Sequence, residues 1–311
     1  MASLNLIFSG SGEFGLPTLH ALLDRGHRIV TVISQPDRPA GRGKKLTPTP
    51  IAQFALERGL PLMRTSDINA ETLPPADAMV VIAFGQKIAP RVVDHPRLGS
   101  INLHASLLPR YRGAAPINWA IVEGQPVTGN SVIRLAQKMD AGAILAQSPL
   151  AIGELETAGE LHDRLAEHGA PLVLEVLEKL ASGNAIETPQ NESQATLAPK
   201  ITRDAARIDW SRPAREIACR IRGFYPWPGC HGRLIGPDGE ESGRVTLVRA
   251  AVTGPVAGAA GTVVDESGIV AAGDATGVRI VELQPEGKRP MTIEAYRNGH
   301  RFAAGMRIVS L

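Results

Sequence analysis

The chain has 311 residues, 33 of them basic and 31 acidic, for a formal net charge of +2. At roughly 150 residues per domain that length predicts about two domains, and 43% hydrophobic with 21% charged residues excludes a disordered tail. The longest uninterrupted apolar run, residues 78–84, is far too short to span a membrane, and the opening residues lack the regions of a secretory signal. Cys219 and Cys230 form neither a CxxC pair nor a Cys/His framework, which argues against a disulfide scaffold or a structural zinc site. Such a chain is expected to be a soluble, cytoplasmic, two-domain protein with no membrane partner.

Residues 4–8 read as a buried first strand, followed by a glycine-rich turn and a helix to Arg25 that carries Leu16, Leu19, Leu22 and Leu23 on one side. The turn, Gly10-x-Gly12-x-x-Gly15, has the spacing of a dinucleotide fingerprint, and Asp37 lies 22 residues after Gly15, about where a ribose-binding acid would fall. Asp37, however, belongs to a proline-flanked loop rather than to the tip of the second strand, so a tight strand-to-helix turn without a dinucleotide is the preferred alternative. The second strand spans residues 28–34. The loop after it, residues 35–50, holds Arg38, Arg42, Lys44 and Lys45 with no acidic residue from 38 to 45. A short helix over 52–58 and strands over 78–83 and 100–103 continue the alternation, which implies an open parallel sheet with helices on both faces. Ligands bind such sheets beyond the carboxyl ends of the strands, so the residues around Leu103 are where chemistry is expected.

Asn102 and His104 stand two apart at that strand end, and period-2 geometry puts them on one face. An amide donor beside an imidazole suits a carbonyl carbon under attack: the amide stabilises a developing oxyanion and the imidazole moves a proton near neutral pH. Alone, Asn-x-His is more often a hydrogen-bonded strand end. A third group is needed to orient the ring, and Asp140 offers a carboxylate in a turn between two apparent strands. Further on, Thr157-x-x-Glu160 has capping-box spacing before a helical stripe through Leu161, Leu165, Leu172, Val176 and Leu180. Residues 184–197 are polar and without periodicity, as in a linker. Beyond about Asp209, short apolar runs separated by turns predict a small β-barrel or sandwich. Residues 200–222 carry seven basic against three acidic residues and 288–307 five against one, while 150–195 carry nine acidic against two basic. Each charge alone is ordinary solvated surface; together they would suit a polyanion lying across two domains.

Residues 102–113, NLHASLLPRYRG, resemble the signature of the 10-formyltetrahydrofolate-dependent formyltransferases, and Asp140-x-Gly142 resembles that family's catalytic aspartate. Residues 35–46, QPDRPAGRGKKL, are similar to the basic loop of the members that act on methionyl initiator tRNA, as are residues 198–201, 207–211 and 221–228. The resemblance covers nearly the whole chain and weakens after about Gly236; the turn at Gly10–Gly15 departs from the Gly-Thr-Pro form common in the family. It implies a Rossmann-like catalytic domain over 1–188, a linker over 189–207 and an OB-like barrel that binds tRNA over 208–311. It implies transfer of a formyl group from 10-formyltetrahydrofolate to the α-amino group of methionine on charged initiator tRNA. Asn102 and His104 would stabilise the oxyanion and Asp140 would hold His104, with no metal or covalent enzyme intermediate. Ser106, Leu107, Leu108 and Pro109 would wall the folate, with Phe84 and Gly85 facing the pterin. Arg38, Arg42, Lys44, Lys45, Lys200 and Arg203 would meet the tRNA, and the enzyme is expected to act as a monomer.

Phe14 stands either at the pocket for the methionine side chain or beneath the first helix. Trp210, Phe224, Tyr225 and Trp227 offer stacking surfaces, but Pro226 and Pro228 argue instead for a plug at the domain junction. Three other functions compete. A formyltransferase acting on a nucleotide-linked amine would need neither the basic loop nor a C-terminal β domain. A nucleotide-dependent oxidoreductase would bind NAD(P), and a non-catalytic tRNA-binding module would have no use for the three catalytic candidates.

Overall fold

A computed structural model describes residues 3–40, 43 and 45–311. The chain divides into two compact units: residues 1–113, 129–150 and 162–197 form the first, and 114–128, 151–161 and 198–311 the second.

The first unit is built on a seven-stranded sheet. Its order across the sheet is Ile144–Ala151, Val127–Arg134, Ser100–His104, Ala78–Ile82, Asn5–Gly10, Arg28–Ser34 and Leu62–Arg64. From Asn5–Gly10 the chain runs outward through two parallel neighbours, then returns to the other flank, where Ala78–Ile82 and Ser100–His104 also lie parallel. Right-handed crossovers in opposite directions place the connecting helices on opposite faces. Alternation along the strands supplies both: Ile7, Ile33, Met79 and Val81 join Ile68, Leu73, Phe84 and Val92 in one core. On the opposite face Phe8 and Ile51 close around Gly15, where an added Cβ would lie 3.2 and 3.3 Å from them. The Val127–Arg134 strand runs antiparallel to Ser100–His104.

The order reverses between Asn5–Gly10 and Ala78–Ile82, so the ligand crevice of this sheet type falls at the loops that follow Gly10 and Ile82. Ser100–His104 is the next strand along. The stretch expected as an irregular loop after the second strand contains a short hairpin, in which Arg38–Ala40 pairs antiparallel with Lys45–Thr47. Proline and glycine density hid it, because both strands are only three residues long.

The second unit carries an antiparallel sheet ordered Ile269–Ala271, Thr276–Pro285, Glu241–Pro255, Cys230–Ile235, Arg307–Ser310, with Met291–Thr292 beside Thr276–Pro285. Three register shifts along Glu241–Pro255 bend that long strand. The two edges are joined by one short segment: Val263 bridges to Val270 and Thr262 to Arg307. This closure makes the smaller domain barrel-like. Its core takes Trp210, Ile217, Phe224, Leu247, Ile280 and Tyr296 from the C-terminal residues, together with Ala115 from far earlier in the chain. Cys219 and Cys230 are buried packing residues, and burial pushes the Cys230 thiol up to about 12. Trp210 and Phe224 are buried in this core, and Trp227 is 54% exposed.

Candidate active site

His104 ends its strand only 6% exposed. Its Nε2 lies 2.9 Å from the carbonyl oxygen of Tyr111. A carbonyl only accepts, so Nε2 carries the hydrogen and Nδ1 is the nitrogen turned to the other neighbour. That neighbour is Asp140, whose Oδ1 is 3.7 Å from Nδ1. The separation is within ion-pair range and longer than a hydrogen bond. Asn102, on the same face, is half-buried, and among the described residues its side-chain amide has no hydrogen-bond partner. The strand therefore offers an unengaged donor on the same face as a ring held from two sides.

Asp140 adopts a left-handed conformation, with φ at +52°. Its second carboxylate oxygen accepts a 2.8 Å hydrogen bond from the backbone N–H of Gly113. The Asp-x-Gly spacing has a steric cause: a Cβ at Gly142 would lie 1.8 Å from the carbonyl oxygen of Arg134. Only glycine lets the turn lie so close to the preceding strand.

The supports of this pair come from residues that sequence reasoning left out. Gln190 donates from Nε2 to the carbonyl oxygens of Asp140 and Gly142, both at 2.8 Å. Arg112, only 4% exposed, grips Gln190 Oε1 through Nε and Nη2 and pairs with both carboxylate oxygens of Glu192. The Arg112 guanidinium, with Lys138 beside it, holds the Glu192 carboxyl down at about 2. Thr196 accepts from Tyr111 N–H through its hydroxyl and from Arg112 N–H through its carbonyl. Thr188 pairs with Ile144 through two backbone bonds. The beginning of the expected linker, residues 189–196, is thus part of the first unit. It looked featureless because its bonds run to partners some 50 to 85 residues away, which leave no period in the sequence.

Ser106 is buried and donates to the Arg110 carbonyl, so its hydroxyl shapes the turn. Ser131 donates to the Ser106 carbonyl and accepts from Leu108 N–H and Gln147 Nε2. Within this strapped loop Leu108 is buried, while Leu107 and Pro109 are half-buried. Phe84 belongs to the core, Gly85 is exposed, and the Phe84 carbonyl accepts from Gln35 Nε2. Arg38, Lys45, Lys200 and Arg203 are exposed. Arg42 and Lys44 lie outside the described residues.

At the glycine-rich turn, Gly10 is needed because a Cβ there would sit 2.8 Å from the Ile82 carbonyl oxygen. Asp37, the acid a dinucleotide would want, is instead paired with Arg64 at 3.3 Å. Packing thus accounts for Gly10 and Gly15 of the motif. Phe14 is buried, edge-on to the His162 ring. Among the described residues no group of His, Cys, Asp and Glu side chains has the arrangement of a metal site, and no helix is long and apolar enough to cross a membrane.

Comparison with known proteins gives a consistent picture. The family profile described as formyl transferase matches residues 3–177, and that of the formyl transferase C-terminal domain matches residues 200–301. The methionyl-tRNA formyltransferase of Phenylobacterium zucineum is 42% identical over 311 residues, covering 98% of this chain and 100% of that protein. That of Pseudomonas syringae pv. tomato is 43% identical over 97% of each chain. Among solved structures, the sugar 3N-formyl transferase WlaRD, in the presence of dTDP and 5-N-formyl-THF, superposes with a TM-score of 0.66 at 16% identity over 93% of this chain and 100% of that one. HypX from Aquifex aeolicus, in complex with tetrahydrofolic acid, gives 0.62 at 17% identity. That match covers 95% of this chain and 47% of HypX, so the chain spans about half the length of that protein.

Proposed function

The chain belongs to the formyl transferase family, and from that premise we propose that it transfers the formyl group of 10-formyltetrahydrofolate to the α-amino group of methionine esterified to initiator tRNA. Relatives bearing the name methionyl-tRNA formyltransferase, at 42% and 43% identity over nearly the full length of both chains, support this substrate over other amines. The observation that carries the chemistry is the half-buried Asn102 amide, without a partner among the described residues, beside a His104 ring held between the Tyr111 carbonyl and Asp140.

In this reading the amine lone pair attacks the formyl carbon, and a C–N bond forms while the carbonyl electron pair moves onto oxygen. Asn102 donates to that oxygen, and His104, once it has taken the amine's proton on Nδ1, adds a positive charge beside it. As the pair returns, the bond to the folate nitrogen breaks. The amine loses a proton and the departing nitrogen gains one; His104 carries it, with Asp140 holding the ring and balancing its charge. Removing one oxyanion donor of this type typically costs about 10²–10³ in rate.

The loop of Ser106, Leu107, Leu108 and Pro109, with Phe84 and Gly85 at the crevice, would hold the folate. Buried Leu108 and half-buried Leu107 supply apolar area for a flat ring. Arg38, Arg42, Lys44 and Lys45 would meet the acceptor end of the tRNA, and Lys200 and Arg203 its backbone. Residues 1–188 would perform the chemistry and 208–311 would bind tRNA, as barrels of this kind bind oligonucleotides. The test is incubation with charged initiator tRNA and 10-formyltetrahydrofolate, then mass analysis of the released amino acid. N-formylmethionine is expected. An unmodified methionine, with formylation of a nucleotide-linked amino sugar in a parallel reaction, would overturn the assignment.

A further inference from the structure

We propose that Gln190 is a positioning residue for formyl transfer, fixing the backbone of the Asp140 turn and thereby the distance between the Asp140 carboxylate and His104. The inference rests on the roles given to those two residues above. Asp140 is a non-glycine residue in the left-handed region, and the carbonyls on either side of its turn are held by one amide. That amide has only one orientation available. Arg112 donates to Gln190 Oε1 at 3.0 and 2.7 Å, and a flipped side chain would set its NH₂ against the guanidinium, which has no acceptor. Arg112 is fixed in turn by the two-pronged pair with Glu192.

The same short segment reaches both His104 and Asp140. Arg112 holds the Asp140 backbone through Gln190, while the adjacent Gly113 N–H holds the Asp140 carboxylate. Tyr111, the residue before, takes the His104 Nε2 hydrogen. Tyr111 and Arg112 are both tied to Thr196. Residues 190–196 thus set the frame within which Nδ1 and Oδ1 stand 3.7 Å apart, about 1 Å beyond a charge-assisted hydrogen bond. A small displacement of the Asp140 turn decides whether that gap closes with substrate bound, and a misplacement of about 1 Å can cost on the order of 10²-fold in rate.

The test is a double-mutant cycle read by single-turnover formylation of charged initiator tRNA, with Gln190→Ala and Gln190→Glu each made alone and on Asp140→Asn. The glutamate keeps the side chain's length and its acceptor toward Arg112, and replaces the donor to the two carbonyls by a charged acceptor that repels them. Each Gln190 variant is expected to lower the rate about 10–100-fold, with KM for both substrates within about twofold and an altered pH–rate profile. On the Asp140→Asn background the same changes should cost less than about twofold. Equal losses on both backgrounds would mean a general structural role, and a wild-type rate and pH profile in Gln190→Glu would mean no role; either overturns the inference. A wild-type chain that formylates no charged tRNA would instead overturn the proposed function.

Discussion

The corner formed by His104, Asp140 and Arg112 and the basic hairpin at residues 38–47 belong to the same compact unit, and their polar groups are treated in opposite ways. In the corner, the ring, the carboxylate, the guanidinium and the turn carbonyls all have partners within the protein. Asn102 alone among these groups keeps its amide open. In the hairpin, Arg38, Lys45 and Leu46 stand exposed on strands of three residues. Among the described residues, Arg38 makes one long side-chain contact, to Gln35 at 3.4 Å. In the proposed function the contrast separates two tasks. Stabilising a fleeting negative oxygen requires dipoles already fixed in place, since reorienting them during the reaction would forfeit the gain. Meeting a polyanion requires positive charge left accessible, with affinity coming from release of its counterions.

Breaking the corner should have the largest consequence. His104→Ala is expected to slow single-turnover formylation by about 10²–10⁴-fold and Asn102→Ala by about 10²–10³-fold, with tRNA affinity in a filter-binding assay within twofold of wild type. Activity near wild type in either variant would remove that residue from the chemistry. Breaking the hairpin should do the reverse. Arg38→Ala with Lys45→Ala should weaken tRNA binding and flatten the log–log salt dependence by about one unit per lost phosphate contact, leaving the rate on bound tRNA unchanged. An unchanged salt slope would sever the hairpin from tRNA. The comparison is sharpened by a charge cluster that should matter to neither task. Glu160 accepts from Thr157 N–H and from Arg249, and the Arg249 hydrogen bond leads the effects that lower its carboxyl to about 2. A carboxyl so lowered stabilises the fold fully above its unfolded value near 4.5, and that contribution fades as pH falls from there through about 2. Glu160 is half exposed, so screening limits the pair to about 1 kcal/mol. Glu160→Gln should lower Tm by about 2–4 °C at pH 7, with the difference from wild type vanishing in that acid window. A difference that persists at pH 2 would show that charge is not its source.

The parts of this architecture that a one-dimensional reading reaches are those with a period or a short motif. The strands at Asn5–Gly10 and Ala78–Ile82 are continuous apolar runs, and Asn102 and His104 share a face because side chains alternate along a strand. The capping box at Thr157 and Glu160 forms as its spacing predicts. Asp140 is legible as a carboxylate in a turn between two strands, but nothing in its spacing places it beside residue 104, and its role comes from resemblance alone. Gln190, Glu192 and Thr196 were out of reach for a physical reason: each acts through a single side-chain or carbonyl bond to a distant turn, which demands one residue rather than a pattern. Likewise, the assignment of residues 114–128 and 151–161 to the second unit follows from apolar contacts such as that of Ala115, whose hydrophobicity alone names no destination. The exposure of Trp227 is likewise beyond the motif, because neighbouring prolines say how the backbone turns and not which way the indole faces.

The tie between Gln190 and the Asp140 turn also bears on the order in which the polypeptide is made. His104 and Asp140 emerge from the ribosome well before the residues that brace them, and the brace is complete only when Thr196 follows. An unfinished chain ending between 142 and 189 would hold both side chains to which the proposed function gives a role, without their frame. Catalytic competence would therefore arrive as a late step of biosynthesis, when a shortened product has already been excluded from the work.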